Sequence, residues 1–282
     1  MTDVDVDTIA SGPHPNPSQE GASVLFRETD KYVLKLAETQ EDRLGAERLR
    51  YRVFVEELGA TGAHIDHEGR FERDALEPFF QHLILIDKAR DPETLDHVVG
   101  VYRLMTQERA AEAGRFYSEG EYDLTPLKTS GRRLLELGRS CVDAEHRRGP
   151  ALAMLWQGLG RYVAEHQIDV LFGVASFIGT DVSALAQPLS HLHANHLAPV
   201  ELRARAVEHA FEPMDLLAPE EVIRMDAIRA TPTLIKSYLR AGGFVGEGAF
   251  VDHDFGTTDV CLVLDIERMN PATRARFQGD RS

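Results

Sequence analysis

The spacing of apolar residues changes several times along the chain, and each spacing predicts a different element. Between residues 32 and 36 apolar side chains alternate as in a strand with one buried face. Thr39 and Asp42 then form a capping-box pattern, which predicts a helix that runs to a stop at Gly59. The segment 60–80 is rich in glycine, histidine and acid, and we predict an irregular loop there.

Further elements follow from continuous apolar runs and from the residues that bound them. The runs predict strands at residues 82–87, 97–105, 134–142, 169–177, 244–250 and 259–265. Pro150 is expected in the first turn of a helix, and Thr231 is expected to cap a later helix that stops at Gly242. This order predicts an α/β fold in which helices flank a mixed central sheet.

Two segments depart from this order. Residues 1–21 are polar and acidic with several prolines, and we predict that they form a disordered tail. Residues 22–282 are predicted to form a single domain. Within it, short helical patterns interrupted by prolines indicate a helical insertion at about 180–230.

Composition narrows the classes of protein. The net charge of −15 argues against nucleic acid as a partner. Cys141 and Cys261 lie in apolar runs and are expected to be buried thiols of a reducing compartment. We find neither a secretory signal pattern nor an apolar run long enough to span a bilayer. These features predict a cytoplasmic protein, whose contact with the inner face of a membrane would be peripheral.

Two apparent sites are discounted. His191, His193 and His196 do not share a helical face, and no cysteine or closely spaced acid completes a metal site. No metal is therefore expected. No bound cofactor is expected either. No histidine lies at a spacing from Cys141 that would indicate activation of its thiol. Cys141 is therefore expected to be a core residue rather than a nucleophile.

An arginine-rich turn joins the strand at 134–142 to the helix that Pro150 opens. The free backbone N–H groups of a helix N-terminus, together with Arg147, Arg148 and Gly149, suit a phosphate group. An ordinary turn with solvated arginines explains the same residues equally well.

This strand, turn and helix resemble the GCN5-related N-acyltransferase (GNAT) fold. In that family the turn holds the phosphates of a pantetheine arm, and the resemblance places Gly149 and Ala151 at the small positions of the motif. His146 departs from the pattern, because arginine or glutamine is usual there. A shifted register that begins at Arg148 is the other way to place the motif.

A second set of motifs resembles the acyl-homoserine lactone synthases, which take acyl groups from acyl carrier protein. The set comprises RLRYRVFVEELG, the pair Asp74 and Glu77, VVGVYRLM and LLELGRSCV. Ala60 in place of tryptophan and Glu77 in place of aspartate are departures. The resemblance assigns residues to catalysis (Glu136, Arg139) and to substrate binding (Arg50, Phe54, Asp74, Arg103).

Motifs spread from Ala37 to Leu264, including FYSEGEYDL and LIKSYLRAGGFVGEGAFVDHDFGTTDV, resemble the ornithine-acyl carrier protein N-acyltransferases. This resemblance implies transfer of a 3-hydroxyacyl chain from the 4′-phosphopantetheine arm of acyl carrier protein to the α-amino group of L-ornithine, which gives lyso-ornithine lipid. The alternatives are an acyl-homoserine lactone synthase-like enzyme that uses S-adenosylmethionine, an acetyl-coenzyme A transferase, and a non-catalytic protein that binds lipid or a partner.

The chemistry implied by the resemblance leaves several roles open. Amide formation from a thioester needs a base for the acceptor ammonium, and Glu136 is the candidate. A structural ion pair with Arg103 or Arg139 explains that glutamate equally well. The two arginines would bind the ornithine carboxylate or brace the first helix against the sheet. Asp74 would bind an ammonium group or lie in a solvated turn.

Docking of an acidic acyl carrier protein on this acidic chain requires a local basic patch. The candidate residues are Arg132, Arg133, Arg147, Arg148 and Arg161. Charge balance with nearby acids is the alternative reading of this patch. The insertion at 180–230 would shield the acyl chain, touch a bilayer, or pack as an ordinary helical lid.

Overall fold

A computed structural model gives the structure of the protein and describes residues 25–278, so the predicted tail at 1–21 lies outside the described residues. The strands are β1 (Leu25–Glu28), β2 (Tyr32–Leu36), β3 (Ile65–Asp66), β4 (Phe71–Glu72), β5 (Gln81–Asp87), β6 (Val98–Thr106), β7 (Tyr122–Asp123), β8 (Leu134–Val142), β9 (Val170–Ile178), β10 (Arg205–Ala206), β11 (Phe244–Val245), β12 (Phe250–Asp252) and β13 (Thr257–Asp265). The α-helices are α1 (Gln40–Arg50), α2 (Gln107–Ala113), α3 (Thr125–Thr129), α4 (Ala151–Glu165), α5 (Ala186–His196), α6 (Arg224–Ala230), α7 (Thr233–Ala241) and α8 (Pro271–Gln278).

One large sheet organises the described chain. Its strands lie in the order β1, β2, β5, β6, β8, β9, β13 and β11, and β12 also pairs with β13. Neighbouring strands in this described sheet are antiparallel except β8 and β9, which run parallel. The predicted α/β fold with a mixed sheet flanked by helices is therefore confirmed. β8 coincides with the strand predicted at 134–142.

The two faces of the sheet are covered by different helices. Leu83 and Leu85 of β5 belong to the same buried cluster as Leu159 of α4. Ile84 points to the opposite face, where it shares a cluster with Leu49 of α1. This alternation follows from the two-residue period of a strand. β8 consequently runs through the middle of the molecule, between α1 and α4.

The first helix begins as predicted but changes type partway. Both bonds of the capping box between Thr39 and Asp42 are present. The chain then continues as a π-helix at Tyr51–Glu57 instead of an α-helix up to Gly59. Single turns of π-helix are frequent at functional sites.

The prediction of an irregular loop at 60–80 was wrong in part. β3 and β4 form a short antiparallel hairpin there, and Glu77–Phe79 forms a 3₁₀ turn. Strands of two residues are too short to show an alternating pattern, so the sequence gives no sign of them. The hairpin carries the side chain of Glu72 into the interior, where it is fully buried.

Around residue 231 the predicted cap was also wrong. The Thr231 hydroxyl donates to the carbonyl of Ala227 at 2.8 Å, so it closes α6 instead of opening α7. The stop of α7 is confirmed, because Gly242 adopts a left-handed φ of 99°. Between α5 and α6 the chain forms short 3₁₀ turns and β10. Helix thus occupies less of 180–230 than the pattern predicts.

Candidate active site

The parallel strands β8 and β9 pair only at one end. Their register stops at Glu136 opposite Phe172. At the next position Gly173 passes so close to β8 that a Cβ atom would lie 2.0 Å from the carbonyl oxygen of Leu137. Only glycine permits this approach. Beyond it the two strands separate and leave a cleft between them.

β8 carries a bulge where the cleft opens. Against β6, Cys141 lies opposite Val101 and Gly138 opposite Arg103, which leaves two residues of β8 facing one of β6. Arg139, in the bulge, has a positive φ of 48°. Such a backbone is unfavourable for a non-glycine residue and is concentrated at functional sites.

The cleft holds about 1060 Å³ of empty space, including its solvent-filled mouth. Its walls are the separating halves of β8 and β9, several aromatic rings and a group of acids. The structure brings together four of the predicted site residues in this lining: Phe54, Arg103, Glu136 and Arg139. The other predicted residues lie outside the lining of the cleft.

Glu136 is held by backbone amides. Its two carboxylate oxygens accept from the N–H groups of Tyr117 at 2.8 Å and Ser118 at 2.6 Å. The predicted alternative, an ion pair with Arg103 or Arg139, is not formed, because both arginines pair with other acids. Burial raises the pKa of Glu136, although the bonds from Ser118 and Tyr117 act in the opposite direction.

An ion-pair network lies behind the cleft. It joins Arg50 to Glu72 (2.6 Å) and Glu77 (2.8 Å), Arg103 to Asp74 (2.7 Å) and Glu77 (3.4 Å), and Arg139 to Glu72 (3.0 Å). The bracing role that the sequence left open for Arg103 and Arg139 is therefore present. Arg50 is completely buried within the network. Asp74 is bound by Arg103 and does not lie in a solvated turn.

Arg139 also faces the cleft. Its guanidinium lies 4.7 Å from the ring centre of Tyr117 and 4.4 Å from that of Phe255. Nε donates to Glu72 and Nη2 to the Tyr117 hydroxyl, whereas Nη1 forms no hydrogen bond with any described residue. One edge of this fixed cation is thus left for an anionic group in the cleft.

Three carboxylates that the sequence analysis missed form a further wall. Glu121, Asp252 and Asp259 line the cleft, and an oxygen of each lies within 4.8 Å of the others. Burial first, and then repulsion from Asp259 and Asp252, raise the pKa of Glu121 well above its usual value. Burial raises the pKa of Asp259 to about 6. The only sequence signal was Asp259, an acid at the start of the apolar run of β13.

The predicted phosphopantetheine turn lies at the N-terminus of α4, outside the lining of the cleft. Arg147 pairs with Glu57 at 2.6 Å. Arg148 is exposed and forms no ion pair with any described residue, Gly149 is exposed, and Ala151 is buried. The role of this turn stays a prediction.

His146 occupies the motif position where arginine or glutamine is usual, and it has a structural partner. Its Nε2 lies 3.0 Å from Oδ2 of Asp87, and the histidine is buried. The ring therefore ties the turn to β5 and is not presented to a ligand at the turn.

The two cysteines are buried and free, as predicted. Burial raises the pKa of Cys141 to about 12, so that its thiol is protonated at neutral pH. Cys141 packs against α1 in the same cluster as Leu49. It is a core residue and has no setting that would activate it as a nucleophile.

The sequence is similar to a known family model and to proteins of known name. A family model described as an acetyltransferase (GNAT) domain matches residues 49–157. The L-ornithine N(alpha)-acyltransferase of Rhodobacter capsulatus is 57% identical over 243 residues, which cover 86% of this chain and 93% of that protein. The protein of the same name from Brucella abortus is 40% identical, over 90% of this chain and 91% of its own.

Among solved structures, an N-acyl amino acid synthase from uncultured soil microbes aligns with a TM-score of 0.47 at 13% identity. The alignment covers 87% of this chain and 98% of that chain. The two ornithine acyltransferases share far more of this chain's sequence than that synthase does.

Proposed function

Since the chain belongs to the family of L-ornithine N(alpha)-acyltransferases and is an acyltransferase with a GNAT domain, we propose that it acylates the α-amino group of L-ornithine. We further propose that the donor is a 3-hydroxyacyl thioester of acyl carrier protein and that the product is lyso-ornithine lipid. The observation that carries the proposal is the cleft between β8 and β9, which Glu136 and Arg139 line together.

In this proposal Glu136 takes a proton from the α-ammonium of ornithine, directly or through one water. Burial favours this role, because a raised pKa brings a carboxylate closer to the basicity that proton transfer near neutral pH requires. The free amine attacks the thioester carbonyl, a C–N bond forms and the C–S bond breaks. Of the two protons that leave nitrogen, one ends on the carrier thiol and the other in solvent.

Arg139 is proposed to orient the acceptor. The free Nη1 edge would receive the α-carboxylate, while Glu72, Tyr117 and Phe255 keep the guanidinium in place. A group held in this way loses little freedom when it binds its ligand. Arg103 would act behind it, since it is bound to Asp74 and covered by the ring of Phe80 at 3.8 Å.

The direct test is to incubate purified protein with a 3-hydroxyacyl carrier protein and either ornithine, S-adenosylmethionine or no acceptor, and to identify the products by mass. We expect acyl-ornithine only in the first reaction. A lactone product with S-adenosylmethionine would favour the synthase alternative, and the absence of acyl-ornithine would reject the proposal.

The 4′-phosphopantetheine arm is proposed to reach the cleft past the N-terminus of α4, with Arg147, Arg148, Gly149 and Ala151 around its phosphate. Backbone N–H groups at a helix N-terminus suit that charge. Arg148 is exposed and has no ion pair in the described chain. Arg132 and Arg161, two other arginines of the predicted patch, are partly neutralised by Asp265 and Glu165.

We expect the variant R147E/R148E to raise the KM for acyl carrier protein by about tenfold or more, because reversed charges repel an acidic partner. Steady-state kinetics at low salt measure this change. R224E/R229E, on exposed α6, reverses the same number of charges and serves as the control. An unchanged KM in a folded R147E/R148E protein would remove this turn from the docking surface.

Peripheral contact with a membrane stays a proposal. Among the described residues, no helix combines the length and the apolar character that a bilayer crossing requires. Val200, Ile223 and Met225 of the segment 180–230 are exposed apolar side chains that would make a surface contact. Co-sedimentation with vesicles of bacterial lipid tests it, and equal sedimentation of an I223D/M225D variant would exclude these residues.

A further inference from the structure

The charges that line the cleft are unevenly neutralised. The cations Arg103 and Arg139 are both paired with acids of the network behind the cleft. Glu121, Asp252 and Asp259 form no ion pair with any described residue. The cleft thus has an acidic wall that the protein itself leaves without a counter-charge. Glu121 and Asp259 are buried and Asp252 is half-buried. Buried carboxylates without a counter-charge cost stability unless they become protonated or a ligand supplies a cation.

Glu121 is the clearest case of an unsatisfied group. The residue is only 6% exposed. Its carboxylate nevertheless accepts no hydrogen bond from the described chain, and its Oε2 atom is buried without a partner. Oδ1 of Asp259, in a residue 3% exposed, likewise accepts no hydrogen bond, although the hydroxyls of Ser176 and Thr257 are near enough to lower the pKa of that carboxyl. Buried polar atoms of native proteins are nearly always bonded, so these two point to a missing donor.

The other charged groups around this wall do not supply that donor. Arg139 is close enough to lower the pKa of both Glu121 and Asp259, but its guanidinium donates to Glu72 and Tyr117. Glu136 adds a further negative charge that raises the pKa of Glu121. The cleft is therefore polarised, with the guanidinium of Arg139 on one side and the three acids on another.

We propose that Glu121, Asp252 and Asp259 bind the side-chain ammonium of the acceptor and thereby select a diamino acid over a neutral amino acid. This inference rests on the proposed function and names the part of the site that reads the acceptor. A primary ammonium has three N–H donors, one for each carboxylate. Its positive charge also removes the mutual repulsion of the acids.

The same contact accounts for the choice between the two amines of the acceptor. An ammonium among carboxylates has a raised pKa and stays protonated, so it has no lone pair with which to attack a thioester. The α-amine, beside the single carboxylate of Glu136, is the amine that can lose its proton. The acidic wall would thus both recognise the side-chain amine and keep it unreactive.

The test compares L-ornithine with L-norvaline, which has the same carbon chain without the δ-amine, as acceptors for the wild type and for E121Q/D259N. We expect the ratio of the two kcat/KM values to fall by about 10- to 100-fold in the variant, the size expected for lost hydrogen bonds to a charged group. E220Q/D226N makes the same chemical changes at exposed positions and should keep the wild-type ratio.

Folding is monitored by thermal unfolding at pH 7.5. Because the substitutions remove like-charge repulsion, we expect the midpoint of E121Q/D259N to equal or exceed that of the wild type. If that variant does not fold, the single variant D252N, at a half-buried position, decides the question by the same ratio. An unchanged ratio in a folded variant overturns the inference.

Two further outcomes are distinguishable. If the wild type acylates neither amino acid, the proposed function itself fails. If a chelator abolishes the use of ornithine by the wild type and added Mg²⁺ or Ca²⁺ restores it, the three acids hold a metal ion and the ammonium assignment is wrong. We expect the chelator to have no effect on the wild-type ratio.

Discussion

Replacing Arg139 with methionine is expected to lower kcat/KM for ornithine by about 100-fold, the loss that follows when a charge-assisted contact to a carboxylate is removed. Methionine retains much of the side-chain volume between the rings of Tyr117 and Phe255. Glu72 keeps its ion pair with Arg50 at 2.6 Å, so the network behind the cleft remains partly intact.

A change of acceptor separates carboxylate binding from a structural role of Arg139. 1,4-Diaminobutane is ornithine without its carboxylate, and the wild type should use it far less well than ornithine. R139M should lose that preference, because no cation is left at this position to bind the carboxylate. The preference of R139K for ornithine should lie between those of the wild type and R139M. If R139M slows both acceptors by the same factor, Arg139 acts on the fold or on the acyl donor.

Replacing Arg50 with methionine is expected to lower the free energy of unfolding by about 3–5 kcal/mol at pH 7.5, because one cation of a buried network is removed and its carboxylates remain. Arg50 is fully buried and pairs with Glu72 and Glu77. Although burial alone would raise the pKa of Glu77, Arg50, Arg103 and His82 hold it well below its usual value. Urea denaturation measures the loss.

The difference in free energy of unfolding between the wild type and R50M should depend on pH. In the wild type, the stability that comes from a depressed carboxylate pKa is present above the ordinary glutamate pKa and is lost as the pH falls towards the folded value. In R50M the pKa values of Glu72 and Glu77 rise, so these groups can become neutral in mild acid. The difference between the two proteins should therefore shrink from pH 7.5 to pH 5. A difference that is equal at both pH values would show that lost packing, not lost charge, destabilises the variant.

R43M provides the matched control for the same helix. Arg43 lies on the exposed face of α1, and within the described chain its side chain donates to the carbonyl of Glu38 alone. A substitution at such a position should change the free energy of unfolding by no more than about 0.5 kcal/mol. A larger effect would mean that charge on α1 in general, and not the buried network, sets the stability.

Local patterns in the sequence determined much of the fold. The continuous apolar run at 134–142 predicted β8, and the capping pair Thr39 and Asp42 predicted the start of α1. Both signals involve residues close together in the chain, where side-chain period and backbone capping decide the structure. The motifs around Arg103, Glu136 and Arg139 identified three residues that line the cleft.

The tertiary structure alone decided what these residues can do. The sequence left open whether Glu136 is a base or an ion-pair partner of Arg103 or Arg139. In the folded chain, the amides of Tyr117 and Ser118 bind its carboxylate. The positive φ of Arg139 lies in a bulge against β6, and β8 and β9 separate beyond the point where Gly173 passes close to Leu137. Such features depend on cross-strand register, which local propensity does not encode.

The acidic wall formed by Glu121, Asp252 and Asp259 is the feature of the cleft that sequence patterns predicted least. Glu121, Asp252 and Asp259 come from distant parts of the chain, and each reads as an ordinary polar residue beside a turn or strand. Their chemistry exists only once the sheet places β12 and β13 against the segment before β7. Periodicity and capping therefore determined most of the long strands and helices, and the resemblance to known families supplied the candidate catalytic residues. Long-range packing decided the unpaired charge that distinguishes the cleft, because an electrostatic field depends on distances in space and not on separation along the chain.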